Sequence, residues 1–561
     1  MELTDEEEAI CQNNAARLQV NAFAGTGKTT TLIHYAKRNP NKKMLYLCYN
    51  KNIQAEAQLV FPDNVVARTT HSLAYGAAGY RYKDRLISAI TSKSILGLCQ
   101  FKSGPGGYEM ARIVSDTLKQ FLSSSDSSIQ AKHAPKDNIR LAAIAFKKTD
   151  QIETLIEEVS HKAAKLATLV WTRMCDKSNS DIGMTHDGYL KLFQLSCPKL
   201  SYDVLLFDEY QDATPATMAT VMGAQVPQLV MVGDTHQAIY GFRGSVDAMR
   251  TRDDYEQLSL TTSFRFGQTV ADAANMVLAL KGERRRIKGF GDGVLANSQQ
   301  NMPGTKAIIF RHNMNFWREA LSYGSTSQYK IYIEGDMVNY NHEKLMDVYR
   351  LYRKEVPKDP LLARYANYDE LRKAAENMMD TSLNGLCMVV EDICKRNPHA
   401  LETKMNLLKS SLVSSVKDAT LVLTNAHKSK GKQYPRVVVF EDFTHSPLNS
   451  LKKGDHNIYG YPETYSGLLE EVSPKQEEEA NVLYVAMTRA QQILSLPPAY
   501  LKNLHVAQTI AFGSDDDNFY AKLKKENHIV SEQARSHLIE YRLKSVFKQL
   551  PSFAKGVRKK I

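Results

Sequence analysis

The sequence predicts an α/β protein built from two parallel-sheet layers, each interrupted by a mainly helical insertion. Three observations carry that reading. Short apolar runs bounded by turn residues recur along the 561-residue chain: "RLQVNAF", "KMLYLCY", "YDVLLFDE" and "QLVMVGD", then "TKAIIFR", "DATLVLTN" and "PRVVVFED". Each is strand-length and nearly free of polar alternation, the mark of strands buried on both faces. They fall into two groups, residues 17–70 with 204–233 and residues 306–334 with 420–442. The stretches between are rich in Leu, Lys, Ala, Glu and Met at helical spacing, as in "IETLIEEVSHKAAKLATLV" and "LMDVYRLYRKEV". The expected division is therefore 1–79 and 200–250 for the first layer around an insertion at 80–199, and 251–335 and 418–505 for the second around an insertion at 336–417. A helical extension, 506–561, ends in "FAKGVRKKI", a solvated basic tail or a nucleic-acid contact. The basic, Gly-rich "KGERRRIKGFGDG" (281–293) suits a loop.

A net charge of +11 favours polyanionic partners such as nucleic acid or an anionic membrane surface, and also fits a merely basic soluble enzyme. Seven cysteines without a CxxC pair argue against a zinc site or a disulfide framework and for a reducing compartment. The acidic start "MELTDEEEAI" is unlike a signal peptide. No apolar run approaches the roughly 20 residues of a membrane span. A soluble intracellular protein with no membrane partner is expected.

The chemistry begins at "AFAGTGKT", where Ala22 stands in place of the first glycine of a GxxxxGK[ST] loop. An apolar strand precedes it and a helix follows. Gly25 and Gly27 are expected at positive φ. Backbone N–H groups along Ala24, Gly25, Thr26, Gly27 and Thr30 would cradle phosphates, Lys28 would reach the β/γ oxygens, and Thr29 would coordinate Mg²⁺. In "VLLFDEYQD", Asp208 would share the Mg²⁺ and Glu209 would orient or deprotonate the attacking water. "GDTHQAIYGFRGS" offers Gln237 as a γ-phosphate sensor beside Tyr240, Phe242 and Arg243, a pairing suited to bases stacked next to a nucleotide.

The order of these segments resembles the UvrD/Rep group of superfamily 1 helicases. That resemblance implies two RecA-like motor domains, ATP with Mg²⁺, and a monomeric 3′ to 5′ translocase that unwinds DNA or displaces bound protein in repair, recombination or replication. Single-stranded DNA, strand junctions and recombination or replication proteins would be its partners. "LTTSFRF" is similar to motif IV, with Arg265 reaching the γ-phosphate and Phe264 stacking on adenine. "EEANVLYVAMTRA" is similar to motif VI, with Arg489 as a second arginine finger. "NAHKSKGKQYPRVVV" resembles motif V and supplies His427 and Lys430, while "YLCYNK" and "RTTHSLAYG" supply Tyr49, Asn50, Thr70 and His71 to the strand track. Three departures stand out. Glu7 replaces the glutamine that reads adenine, and a carboxylate accepts from the amine but cannot donate to the ring. Asn425 and Gln433 replace the motif V threonine and glutamate, changing the ribose contact. Phe242 replaces a tryptophan. "FAGTGKTTTL" and "MTHDGYLKLFQLS" look most like the F-box DNA helicases; with the motor beginning near Leu3, no F-box region is expected.

Three other readings have their own signs. A combined helicase–nuclease needs spaced Asp, Glu and Lys on C-terminal strands, which residues 506–561 are too short and helical to supply. A nucleotide-gated scaffold needs a broken catalytic element. An RNA-directed helicase needs a preference for 2′-hydroxyl strands.

Overall fold

The computed structural model describes residues 2–102, 104–145, 151–241, 254–281, 283–298, 304–359, 361–363, 365–377, 381–443, 474–501 and Leu504. The expected extension 506–561, and Phe242 and Arg243, lie outside the described residues.

The first sheet has six parallel strands in the order Val65–Thr69, Met44–Cys48, Val204–Asp208, Gln228–Gly233, Arg17–Ala22 and Glu256–Leu260. Met44–Cys48, Val204–Asp208 and Gln228–Gly233 are buried at every position, which is why their sequences show no alternation. The register sets Asn21 against Gly233 and Asp208 against Val232, so three strands release their loops at one carboxyl edge. Open α/β sheets bind ligands at that edge.

Glu256–Leu260 corrects the expected division. It falls within residues 251–335, assigned from sequence to the second layer, yet it pairs in register with Leu18–Ala22 and closes the first sheet. Its sequence "EQLSL" is mostly polar and half exposed, as an edge strand permits, so a search for continuous apolar runs passes over it.

The second sheet is also parallel and six-stranded: Val294–Asn297, Ala490–Leu496, Tyr434–Val439, Lys306–Phe310, Leu421–Asn425 and Ile331–Ile333. The two helical segments attach differently. Helices Pro105–Ser123, Lys136–Ala145, Ile152–Cys175 and His186–Leu195 enclose their own core around Phe121, Ala163, Ala167, Val170 and Phe193. Helices His342–Tyr352, Thr381–Cys394 and Ala400–Ser411 share one core with the sheet residues Ile308, Phe310, Leu421 and Leu423. Phe316 stacks on Tyr340 there, with ring centroids 3.9 Å apart.

The segment from 281 is more than a loop. Lys288–Gly289 pairs with Thr262–Ser263, and Lys281 is buried. All seven cysteines are free thiols. Among the described residues no helix is long and apolar enough to cross a membrane.

Candidate nucleotide and strand site

The phosphate loop takes the backbone that its glycines allow. Gly25 and Gly27 have φ of 77° and 75°, and Gly27 in the left-handed region opens helix Lys28–Arg38. A side chain at Gly25 would collide with Arg265 Cβ at 2.5 Å and Ser263 Oγ at 2.6 Å. The motif around Arg265 therefore lies directly on the loop, and Phe264 N–H donates to Gly25 O at 2.9 Å.

Thr29 Oγ1 donates to Asp208 Oδ2 at 3.1 Å, and Tyr46 donates to the same oxygen at 2.7 Å. Burial and the neighbouring Glu209 charge push the Asp208 carboxyl above its usual range. The hard oxygens of half-buried Thr29 and buried Asp208 are what Mg²⁺ accepts, with substrate phosphates completing its shell. This donor set fits that ion, although the described residues contain no cluster of three or more His, Cys, Asp or Glu able to hold a metal. Lys28 Nζ stands 3.7 Å from Glu209 Oε1. Burial works against ionising Glu209, but Lys28, Lys430, Gln211 and Arg489 outweigh it and hold its carboxyl at about 2. Glu209 is thus a carboxylate throughout the physiological range.

The second sheet closes the site. Tyr484, buried, accepts from Ala24 N–H at 3.0 Å and donates to Asp234 Oδ2 at 3.1 Å. Gln237 donates to Asp234 Oδ2 at 2.7 Å and accepts from Arg489 Nη2 at 3.3 Å. Arg265 Nη1 donates to Thr488 O at 3.1 Å. Burial lowers both arginines, and for Arg489, brought down to about 9, the Arg265 charge adds to it. The two guanidiniums meet beside the phosphate loop with Glu209 and Asp234 as their neighbouring charges, and a phosphoryl group there would add further negative charge to hold both ionised. Gln211 joins the two halves of the edge: it donates to Glu209 and accepts from Asp234 N–H. Sequence reasoning misses Tyr484, Gln211, Asp234 and Tyr46; Tyr484 lies inside a motif whose legible feature is its arginine.

Glu7 and Phe264 converge beside Gly27, where an added Cβ would lie 3.4 Å from Glu7 Oε1 and 3.8 Å from Phe264 Cδ2. The Glu7 carboxylate is also the return half of a capping box, accepting from Thr4 N–H at 2.9 Å, and it takes the Thr31 hydroxyl at 3.4 Å. Gln433 is exposed just before strand Tyr434–Val439. Asn425 caps helix Ala426–Ser429.

Of the strand residues, Tyr49 and Tyr240 stack at 6.0 Å and 6°. A cavity of about 760 Å³ is lined by these two rings, by Thr70 and His71, and by Asp208 and Glu209. His71 Nε2 lies 3.0 Å from Asp187 of the helical insertion. Asn50 caps helix Lys51–Val60, accepting from Ile53 N–H. Lys430, expected to meet the strand, instead has its ammonium buried, 2.6 Å from both Asp212 oxygens and from Gln237 O. Those three bonds use all its donors, so in this arrangement it joins two chain segments and faces no phosphate. Lys430→Met is expected to cost about 3 kcal/mol by leaving Asp212 buried and alone. Adding Asp212→Asn should recover most of that, and thermal unfolding of the three chains measures both.

Burial, and then the Arg311 charge, push the His427 imidazole down to about 4, so it is neutral at pH 7. Between that value and an unfolded value near 6.5, the unfolded chain binds the proton and the folded chain does not. The stability present above pH 6.5 is thus lost as pH falls toward 4. Denaturant titrations of wild type and His427→Gln across that window should show a shallower decline in the variant.

Residues 3–253 match the UvrD/REP helicase N-terminal domain. F-box DNA helicase 1 of Gallus gallus is 32% identical over 521 residues, covering 88% of this chain and 49% of that protein. F-box DNA helicase protein 1 of Schizosaccharomyces pombe is 29% identical over 533 residues, covering 88% and 57%. ATP-dependent DNA helicase PcrA of Leuconostoc citreum is 33% identical over 90 residues, 15% of this chain and 12% of that protein. The chain spans about half the length of the two F-box relatives. The phosphate loop and the acidic pair thus lie within a UvrD/REP helicase N-terminal domain, residues 3–253, and Arg265 and Arg489 reach the same edge from beyond it.

Proposed function

We propose that the chain is an ATP-driven motor that moves 3′ to 5′ on single-stranded DNA and unwinds duplex or strips bound protein. The observation that carries this reading is that groups from two sheets close on one phosphate loop: Phe264 and Tyr484 bond to its backbone, and Arg489 bonds to Gln237. Substrate ATP would lie along that loop with its base between Glu7 and Phe264. Lys28 neutralises the β/γ oxygens. Glu209, ionised, takes or orients the proton of the attacking water. Arg265 and Arg489 stabilise charge spread over the γ-phosphoryl oxygens, a contribution of roughly 10³–10⁵ in rate for an arginine finger. Thr29 and Asp208 would hold Mg²⁺, which supplies Lewis-acid neutralisation of the phosphates when bound.

Hydrolysis removes the γ-phosphate that draws the two arginines inward, so the two halves separate. The Gln237–Arg489 contact is followed three residues later by Tyr240, whose ring faces Tyr49. Loss of the first changes the second, and bases stacked there are gripped or released at about 1–3 kcal/mol each. The work would take place in an intracellular compartment that holds DNA, alongside recombination or replication proteins.

Strand displacement from duplexes with a 3′ tail, a 5′ tail or no tail, with DNA and RNA tails, tests this. Unwinding from the 3′ DNA tail alone is expected. Unwinding only from the 5′ tail overturns the direction, and preference for RNA tails overturns the substrate.

A further inference from the structure

We propose that the turn Gly79–Arg85, "GYRYKDR", is a second nucleic-acid platform, taking a stacked base on Tyr80 and backbone phosphates on Arg81 and Lys83. The proposal rests on the reading of the chain as a single-strand motor and extends its track onto the helical insertion. Tyr80 is 59% exposed, an unusual cost for a large ring with other rings close by. Arg81 and Lys83 are also exposed, as is the acidic Asp84.

The turn is fixed from within. Tyr82 is buried and donates to Cys175 O at 2.9 Å, while Arg85 donates to Ile182 O at 2.6 Å. Tyr82 and Arg85 therefore anchor the turn, which presents a ring with two cations outward. Lys83 Nζ lies 5.3 Å from the Tyr80 ring centre. A π face that accepts any base, with positive charge beside it for the adjoining phosphate, is the recurring device of sequence-tolerant single-strand binding.

Continuity with the cavity sets the platform's partner. His71, which lines that cavity, meets the Tyr189 ring edge-on at 6.3 Å; Tyr189 meets Tyr75 at 5.8 Å, and Tyr75 meets Tyr80 at 6.4 Å. These rings tie Tyr80 to the strand track. Gly79 makes the approach possible, since a Cβ there would fall 2.8 Å from Tyr75 and 2.9 Å from Tyr189.

The test is oligothymidylate affinity by fluorescence anisotropy as a function of length, together with hydrolysis stimulated by each oligomer. Wild type should bind more tightly once the strand is long enough to reach the turn. Tyr80→Ala should lose about tenfold for those longer strands, and Tyr80→Phe should retain the gain because stacking needs no hydroxyl. Arg81→Gln with Lys83→Gln should reduce the slope of log affinity against log salt by about 1.4, two single-strand phosphate contacts. Matching melting curves establish that each variant is folded. If wild-type hydrolysis is stimulated yet Tyr80→Ala binds every length as wild type does, the platform alone is overturned, as a protein-docking role for the turn would also give. If no oligomer stimulates wild type, the motor reading fails and the platform falls with it.

Discussion

Lys28→Ala is expected to abolish nucleic-acid-stimulated ATP hydrolysis while leaving single-strand affinity near that of wild type. Lys28 opens helix Lys28–Arg38, immediately after Gly27 in the left-handed conformation, so its side chain leaves from the place where the loop meets the helix N-terminus. Its ammonium stands 3.7 Å from Glu209, and among the charges acting on that carboxylate it is the strongest that favours ionisation. Alanine removes the cation that meets the phosphates, and it also weakens the hold on Glu209 as a carboxylate. The two losses fall on the same step, so a fall in kcat of at least about 10³ is expected. Tyr49, His71 and Tyr240 lie on other segments and should bind strands as before. Steady-state hydrolysis with and without oligonucleotide, beside anisotropy titrations, separates the two effects. Hydrolysis at the wild-type rate would end the proposed function.

Arg489→Lys should cost nearly as much, by a different route. Arg489 is 1% exposed and spreads its guanidinium over Val485 O at 2.9 Å, Lys432 O at 3.2 Å and Gln237 Oε1 at 3.3 Å. Lysine keeps the charge but cannot present donors in that planar fork. The expected result is a loss of about 10³ in kcat with little change in nucleotide affinity, because the interaction strengthens as charge develops on the transferring group. Nucleotide binding by a fluorescent analogue, set beside single-turnover hydrolysis, checks it. A proportional rise in KM with kcat intact would assign Arg489 to ground-state binding instead.

The parts legible in the sequence are those governed by neighbours along the chain. Each of the seven apolar runs contains a strand because a doubly buried strand needs unbroken apolar residues. Gly25 and Gly27 are legible for the same local reason, since the loop requires positive φ and only glycine adopts it without strain. What escapes depends on distant partners. Tyr484 meets Ala24 across 460 positions, and nothing local distinguishes it from a core tyrosine. Lys430 reads as a cation in a strand-binding motif until Asp212, 218 positions away, is brought against it. Lys281 reads as part of a basic loop, yet it is buried 3.0 Å from His236 Nδ1 and bonds to Asn481. The edge strand Glu256–Leu260 escapes because one exposed side suffices to remove the apolar signal.

That edge strand makes the two arginines unequal. The chain leaves the first sheet at Leu260 and reaches Arg265 five residues later, with Phe264 already bonded to Gly25 O. Five residues reach at most roughly 17 Å when fully drawn out. Arg265 is therefore on a leash tethered to the same sheet that carries the loop. Arg489 sits at the junction of helix Pro474–Met487 and strand Ala490–Leu496, inside the other sheet. Phe266, the residue after Arg265, is buried in one core with Ile309, Val422 and Leu494 of the second sheet, so Arg265 stands where the chain crosses from one sheet to the other. Under the proposed motor, a parting of the two sheets would leave Arg265 no further from the loop's sheet than that tether allows, while no such short link ties Arg489 to it.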